Sequence, residues 1–190
     1  MKATGIVRRI DELGRIVIPK EIRRTMRIRE GDPIEIYTEG SADIILKKYS
    51  PIGEMGDFTK QYAESLAIVS GCIVLICDRE RIIAVSGGMR TELLGKHISK
   101  EIRGLMNDRR NLITGKDQKG IKIIDNKEHF INSREIDDID KKHQIIFPII
   151  CEGDVIGAII MLGKNEIKLS ETEYKLASVA AVFIGKQMEN

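Results

Sequence analysis

At 190 residues the chain has room for one large domain or two small ones, and 42% hydrophobic against 32% charged residues is enough apolar material for a packed core. No apolar run reaches the ~18–20 residues that span a bilayer, the first residues lack the apolar centre of a signal peptide, and three cysteines cannot build a disulfide framework. A cytoplasmic chain with reduced thiols is therefore expected, not a secreted mini-protein, a membrane protein or a disordered tail.

The formal net charge of +2 hides an asymmetry: residues 1–29 carry nine bases against three acids, a net +6, which leaves −4 for the remaining 161 residues. Eight of those bases lie between Arg8 and Arg29, and seven of the eight are arginine. An anionic partner for this segment is expected, with nucleic acid foremost.

The first fifty residues read as strand, strand, short helix, strand, strand. Residues 5–10 form a short β-rich run, Asp11-Glu12-Leu13-Gly14 a turn, and Arg15-Ile16-Val17-Ile18 an alternating strand. Pro19 stops that strand and suits the start of a helix over residues 20–27. After the turn Arg29-Glu30-Gly31-Asp32, residues 33–38 and 43–49 make a hairpin around Glu39-Gly40-Ser41-Ala42. Tyr37 and Tyr49 are the only aromatics here, and so thin a core predicts an obligate oligomer.

On a helical wheel Lys20, Arg23, Arg24 and Arg27 share one face, with Ile22 and Met26 opposite. Arg8 and Arg15 flank the Asp11–Gly14 turn. A short basic helix beside a basic strand pair, doubled by dimer symmetry, makes a curved cationic surface that fits a DNA groove. Arginine in place of lysine matters because its planar fork binds guanine edges or phosphates bidentately. The plain alternative is a solvated charged face.

Residues 52–56, inside the small and turn-rich stretch Ser50-Pro51-Ile52-Gly53-Glu54-Met55-Gly56, are expected to be a linker between domains at 1–51 and 57–190. Beyond it, Phe58, Tyr62, Leu66 and Val69 recur at helical spacing. Residues 72–77 and 81–86 read as strands joined by Asp78-Arg79-Glu80. A single helix is expected over 90–108, with Leu93, Leu94, Ile98, Ile102, Leu105 and Met106 as its apolar set. Further strands are expected at 121–124, 144–150 and 155–162, the last two a hairpin about Glu152-Gly153. Ser170 with Glu173 is a capping box that opens a final helix to about Met188. This second module is α+β with an antiparallel sheet. In the final helix Tyr174, Ala177, Ala181, Ile184 and Met188 follow a heptad-like seam, while Leu176, Val179, Ala180 and Phe183 add a second apolar face. One face is expected against the helix's own sheet and the other against a partner chain; burial of both within one domain is the alternative.

The run Lys2-Ala3-Thr4-Gly5-Ile6-Val7-Arg8-Arg9-Ile10-Asp11-Glu12-Leu13-Gly14-Arg15-Ile16-Val17-Ile18-Pro19 resembles the start of the AbrB-type swapped-hairpin transcription factors. Glu21-Ile22-Arg23-Arg24-Thr25, Asp32-Pro33-Ile34-Glu35-Ile36-Tyr37 and Ile44-Ile45-Leu46-Lys47-Lys48-Tyr49 continue the match over residues 1–51. The resemblance implies a swapped-hairpin dimeric barrel, dominated by β-structure with one short helix per chain. It also implies double-stranded DNA as the partner and Arg8, Arg15, Arg23 and Arg24 as contacts, with a further base at Arg9. With a sensory-looking module behind it, it implies a GAF-like domain at residues 57–190 whose closing hairpin is Cys151-Glu152-Gly153-Asp154-Val155-Ile156-Gly157-Ala158. The implied protein is a regulator of late sporulation genes, activating or repressing by promoter, modulated by a small effector at the GAF-like domain and assembled as a homotetramer. Asp117-Gln118-Lys119-Gly120 and residues 133–142 either flank an effector pocket or are plain surface loops. Ser86-Gly87-Gly88 is too short for a phosphate loop.

Enzymatic readings find little. His97, His129 and His143 lack metal-ligand spacing, and neither a metal nor a cofactor is expected. Cys72 and Cys77, five apart on one strand, point to opposite faces and cannot bridge; their apolar neighbours read as structural burial. Two rivals stand beside the regulator: a cysteine-dependent methionine sulfoxide reductase of GAF type, and an AbrB-like antitoxin, which would need a toxin-binding tail where this chain has a folded domain.

Overall fold

The computed structural model describes residues 5–40, 43–114, 120–125, 143–164 and 169–189. The expected site residues in Asp117–Lys119, residues 133–142 and His129 lie outside these. The chain divides into two compact units, Met1–Tyr49 and Ser50–Asn190.

The first unit contains helix α1 (Lys20–Thr25) and an antiparallel hairpin of β1 (Ile34–Glu39) and β2 (Asp43–Lys48), in register from Ile34 opposite Lys48 to Glu39 opposite Asp43. Helix α1 is shorter than the expected 20–27. Met26 caps it, Arg27 turns into the left-handed region (φ 54°), and the Ile28 N–H returns to the Arg23 carbonyl at 2.7 Å. Lys48 then pins the exit, donating from Nζ to the Arg27 carbonyl at 3.0 Å and pairing with Asp32 at 3.0 Å. The expected strands at 5–10 and 15–18 are not formed in this single chain; only the turn between them is. The reason is physical: a strand needs a neighbour for its backbone and a surface for its apolar side chains. Val7, Ile10 and Val17 stay exposed. No described side chain of the first unit is buried.

The second unit is a five-stranded antiparallel sheet. Its strands are β3 (Ile73–Asp78), β4 (Ile82–Ser86), β5 (Leu112–Ile113), β6 (Gln144–Cys151) and β7 (Asp154–Leu162), in the order β4-β3-β7-β6-β5. Its central strands are near-continuous runs of Ile, Val and Leu because both faces are covered. Alternation sends Cys72, Val74, Ile76, Ile145, Ile159 and Met161 into one core, beneath α3 (Gly56–Ser70) and α6 (Glu171–Gln187). Ile73, Leu75, Cys77, Ile146 and Ile160 enter the other, under α4 (Arg90–Leu93) and α5 (Lys100–Asn107). Cys72 and Cys77 thus face opposite sides, as their spacing requires.

Several expected elements differ. Residues 52–56 are no spacer: Ser50 caps a short helix α2 (Pro51–Glu54), and Ile52 is fully buried in the first of the two cores. Ser50 Oγ accepts from the Gly53 N–H and donates to Asp78 at 2.9 Å, which ties the start of this unit to the β3–β4 turn. The single helix over 90–108 is broken into α4 and α5. Gly95 (φ 76°) ends the first turn, His97 and Ile98 bridge to Arg81 and Ile124, and Ser99 caps α5 through the Ile102 N–H. Residues 121–124 contribute a lone bridge where a strand is expected, and β5 is a strand that the sequence pattern does not predict. Pro148 sits in β6 opposite Ala158, beyond the two residues at which β6 pairs with β5, so its missing N–H costs no β5–β6 bond. The Ser170–Glu173 capping box forms, with the Ser170 N–H on Glu173 at 2.7 Å.

The final helix buries Ala177, Ala181 and Ile184 of its seam against its own sheet. Ala180 of the second face is buried too, but Val179 and Phe183 are exposed.

Candidate nucleic-acid interface

Four of the five expected contact residues fall into two groups by how the local chain presents them. Arg8 and Arg9 lie on the run before the Asp11–Gly14 turn, and Arg23 and Arg24 in the last turn of α1, where cations suit the negative end of a helix. All are exposed. Arg27, counted on the same helical face, has left the helix and is half-buried, so the basic face of α1 consists of Lys20, Arg23 and Arg24.

Arg15 is built differently. The turn before it is closed by the Gly14 N–H on the Asp11 carbonyl (2.9 Å) and the Asp11 N–H on the Arg15 carbonyl (3.0 Å), with Gly14 at φ 75°. Asp11 Oδ1 accepts from the N–H groups of Leu13 (3.0 Å) and Arg15 (2.8 Å), and Arg15 Nε donates to Asp11 Oδ2 at 2.8 Å. The Arg15 backbone N–H and guanidinium hold the Asp11 carboxyl below its ordinary range. Asp11 was missed by charge counting, which scores it as an opposing acid. The legible signal was its position, first in a turn that ends in Gly and four residues before an arginine.

In the second unit the rings of Phe58, Tyr62 and Phe183 cluster between α3 and α6, with Tyr62 stacked on Phe183 at 5.5 Å. On the same two helices Val69, Val179 and Val182 are exposed apolar residues.

A nucleophilic mechanism is favoured by a lowered thiol pKa, and the three thiols here are shifted the other way. Burial pushes the thiols of Cys72 and Cys77 up, and Cys151 is pushed up by partial burial and by Glu152, Glu189 and Asp154. His97 and His143 each set Nδ1 against a backbone carbonyl, of Glu80 (3.3 Å) and Thr114 (3.2 Å). Among the described residues no three metal-ligating side chains converge, and no helix is long and apolar enough to cross a membrane.

Comparison with known proteins sorts the units. Residues 54–189 match the family described as stage V sporulation protein T C-terminal, transcription factor. Residues 7–54 match the family described as antidote-toxin recognition MazE, bacterial antitoxin. Stage V sporulation protein T of Bacillus subtilis is 47% identical over 189 residues, covering 100% of this chain and 99% of that protein. The transition state regulatory protein AbrB of the same organism is 48% identical over 81 residues, covering 40% of this chain and 77% of its own. Among solved structures, the blue-light absorbing form of the Thermosynechococcus elongatus PixJ GAF-domain aligns with a TM-score of 0.53 at 13% identity, over 75% of this chain and 89% of that one, a likeness of fold alone.

Proposed function

The chain belongs to the stage V sporulation protein T family of transcription factors, and on that premise we propose that it binds double-stranded DNA through Arg8, Arg9, Arg15, Arg23 and Arg24 to control late sporulation genes from the cytoplasm. The observation that carries this reading is the pairing of an exposed arginine set with a unit that buries none of its described side chains. A module of that kind completes its core with a second copy, and the doubled arginines then line one surface. The expected dimer exchanges hairpins, which gives the runs at 5–10 and 15–18 strand neighbours in the second copy. Phosphate contacts fix its position, and a few base edges and DNA shape supply the sequence preference.

The test is binding to AT-rich and mixed duplexes across a salt series, for wild type and for single Arg8, Arg9, Arg15, Arg23 and Arg24→Ala variants. Wild-type affinity is expected to fall with salt by a log–log slope of roughly −0.9 per phosphate neutralised. Each substitution is expected to cost about 1–3 kcal/mol of binding at a base contact, or about one unit of slope at a phosphate contact, with the melting temperature unchanged. Variants indistinguishable from wild type would sink the assignment.

The second unit joins two such dimers into a homotetramer. The support is the ring cluster and the exposed Val179, Val182 and Phe183, an apolar surface of the type that marks association. Phe183→Glu is expected to lower the mass in sedimentation equilibrium from tetramer to dimer while the far-ultraviolet spectrum is retained. Activation or repression according to promoter, and modulation by a small effector over the α4–α5 side of the sheet, belong to the same reading. Ile98, Ile102, Ile123 and Ile124 fill that side, and an effector would have to displace them.

An antitoxin would need a toxin-binding tail, where residues 54–189 instead match a transcription factor family. A methionine sulfoxide reductase would need a reactive thiol, and every thiol here is shifted away from reactivity. The reading assigns no enzymatic step.

A further inference from the structure

We propose that Asp11 is a positioning residue that presents Arg15 end-on to a base edge, and that Arg15 is thereby the specificity-determining member of the arginine set. The inference rests on the DNA-binding reading above and deepens it. Among the described residues, the guanidinium groups of Arg8, Arg9, Arg23 and Arg24 have no partner, whereas that of Arg15 is held through Nε by Asp11 Oδ2 at 2.8 Å. The carboxylate is itself fixed: its other oxygen takes two backbone N–H groups, of Leu13 and Arg15, inside a turn closed by two further backbone bonds.

The chemistry of the fork gives this contact its meaning. A guanidinium occupied at Nε keeps its outer edge, the pair of terminal nitrogens, for a second acceptor pair. That edge matches O6 and N7 of guanine in the major groove. The Arg15 side chain is 70% exposed, so the edge is open to a ligand. Holding the fork in advance removes part of the ordering cost that a free arginine meets on binding. The four unheld arginines suit phosphates, which accept from many directions.

Folding stability does not account for the pair, since an exposed ion pair contributes little to it. Nor does affinity for a polyanion: the Asp11 carboxyl stays ionised and repels phosphate. A carboxylate on a DNA-binding surface lowers general affinity and is useful there for geometry.

The experiment uses the full chain. Duplexes are selected from a random-sequence pool with wild type, and affinities are measured for a selected duplex and for its scrambled counterpart. Wild type, Asp11→Asn, Arg15→Lys and the double variant are compared. Asparagine keeps an oxygen for the Leu13 and Arg15 N–H groups, so the turn survives, which an unchanged melting temperature and amide spectrum verify. Asp11→Asn is expected to cut the selected-to-scrambled affinity ratio about tenfold, with scrambled binding equal or tighter and the salt slope unchanged. Arg15→Lys is expected to cut the ratio similarly, and the double variant to lose no more than either single one. A ratio unchanged by Asp11→Asn, equal weakening on both duplexes, or additive losses in the double variant overturns the positioning role. Selection without enrichment, with arginine-dependent binding intact, also overturns it and leaves the DNA-binding reading standing. No binding by folded wild type overturns both.

Discussion

Replacing Gly185 with valine is expected to cost about 3 kcal/mol of stability, although glycine is among the poorest residues for a helix interior. A Cβ at this position would lie 2.1 Å from the Ile150 carbonyl oxygen. That neighbour is backbone of β6 and cannot swing aside, so α6 would have to lift off the sheet. Alanine gains about 1 kcal/mol of helix propensity over glycine, yet the same Cβ meets the same oxygen, and a smaller net loss is expected. Gly104 in α5 is the control. A Cβ there meets nothing within 4 Å, so Gly104→Ala is expected to gain up to about 1 kcal/mol. Thermal denaturation of the variants checks the signs: equal shifts at the two glycines would mean that propensity, not close approach, decides both.

Ile52→Ala is expected to cost about 3 kcal/mol, and Ile52→Val about 1. Ile52 has no exposed surface and packs over Gly157, where an added Cβ would lie 2.7 Å from the Ile52 Cδ1. Ser50 and Pro51 start the helix that delivers it, and the Ser50–Asp78 bond fixes that start to the sheet. Urea unfolding of the full chain measures the losses as a shift of the second unit's midpoint at constant slope. A fragment beginning at residue 57 is expected to melt below one beginning at residue 50. An Ile52→Ala variant as stable as wild type would return residues 52–56 to the role of spacer.

The local sequence of this segment points away from its burial. Ser, Pro and two glycines within seven residues carry every mark of a connection, and burial of one isoleucine depends on a notch at Gly157, a hundred residues away. The same holds for residues 90–108. Their apolar set fits a single helix, but Gly95 and the pairing of His97 and Ile98 with Arg81 and Ile124 break it in two. Where information is local, the reading succeeds. The strands at 73–78, 144–151 and 154–162 are long apolar runs bounded by turn residues, and the capping box at Ser170 is written in four positions. The arginine set was legible as charge. Its internal distinction was not, because a count treats Asp11 as a subtraction and the folded turn makes it a clamp. Residues 5–10 and 15–18 carry sound local strand signals too, yet form no strand in the single chain.

Burial is divided between the units in a way that reverses the usual order of synthesis and folding. Domains commonly fold as they leave the ribosome, the N-terminal one first. Here the described residues of the first 49 bury no side chain, while the buried apolar side chains among the described residues belong to the part made afterwards. The later-made unit has what it needs to fold from a single nascent chain. On the hairpin-exchange reading proposed above, the earlier-made one waits, its exposed apolar side chains uncovered, until a second polypeptide comes within reach. Neighbouring ribosomes on one messenger would shorten that wait, and a chaperone that shields those runs would make it safe.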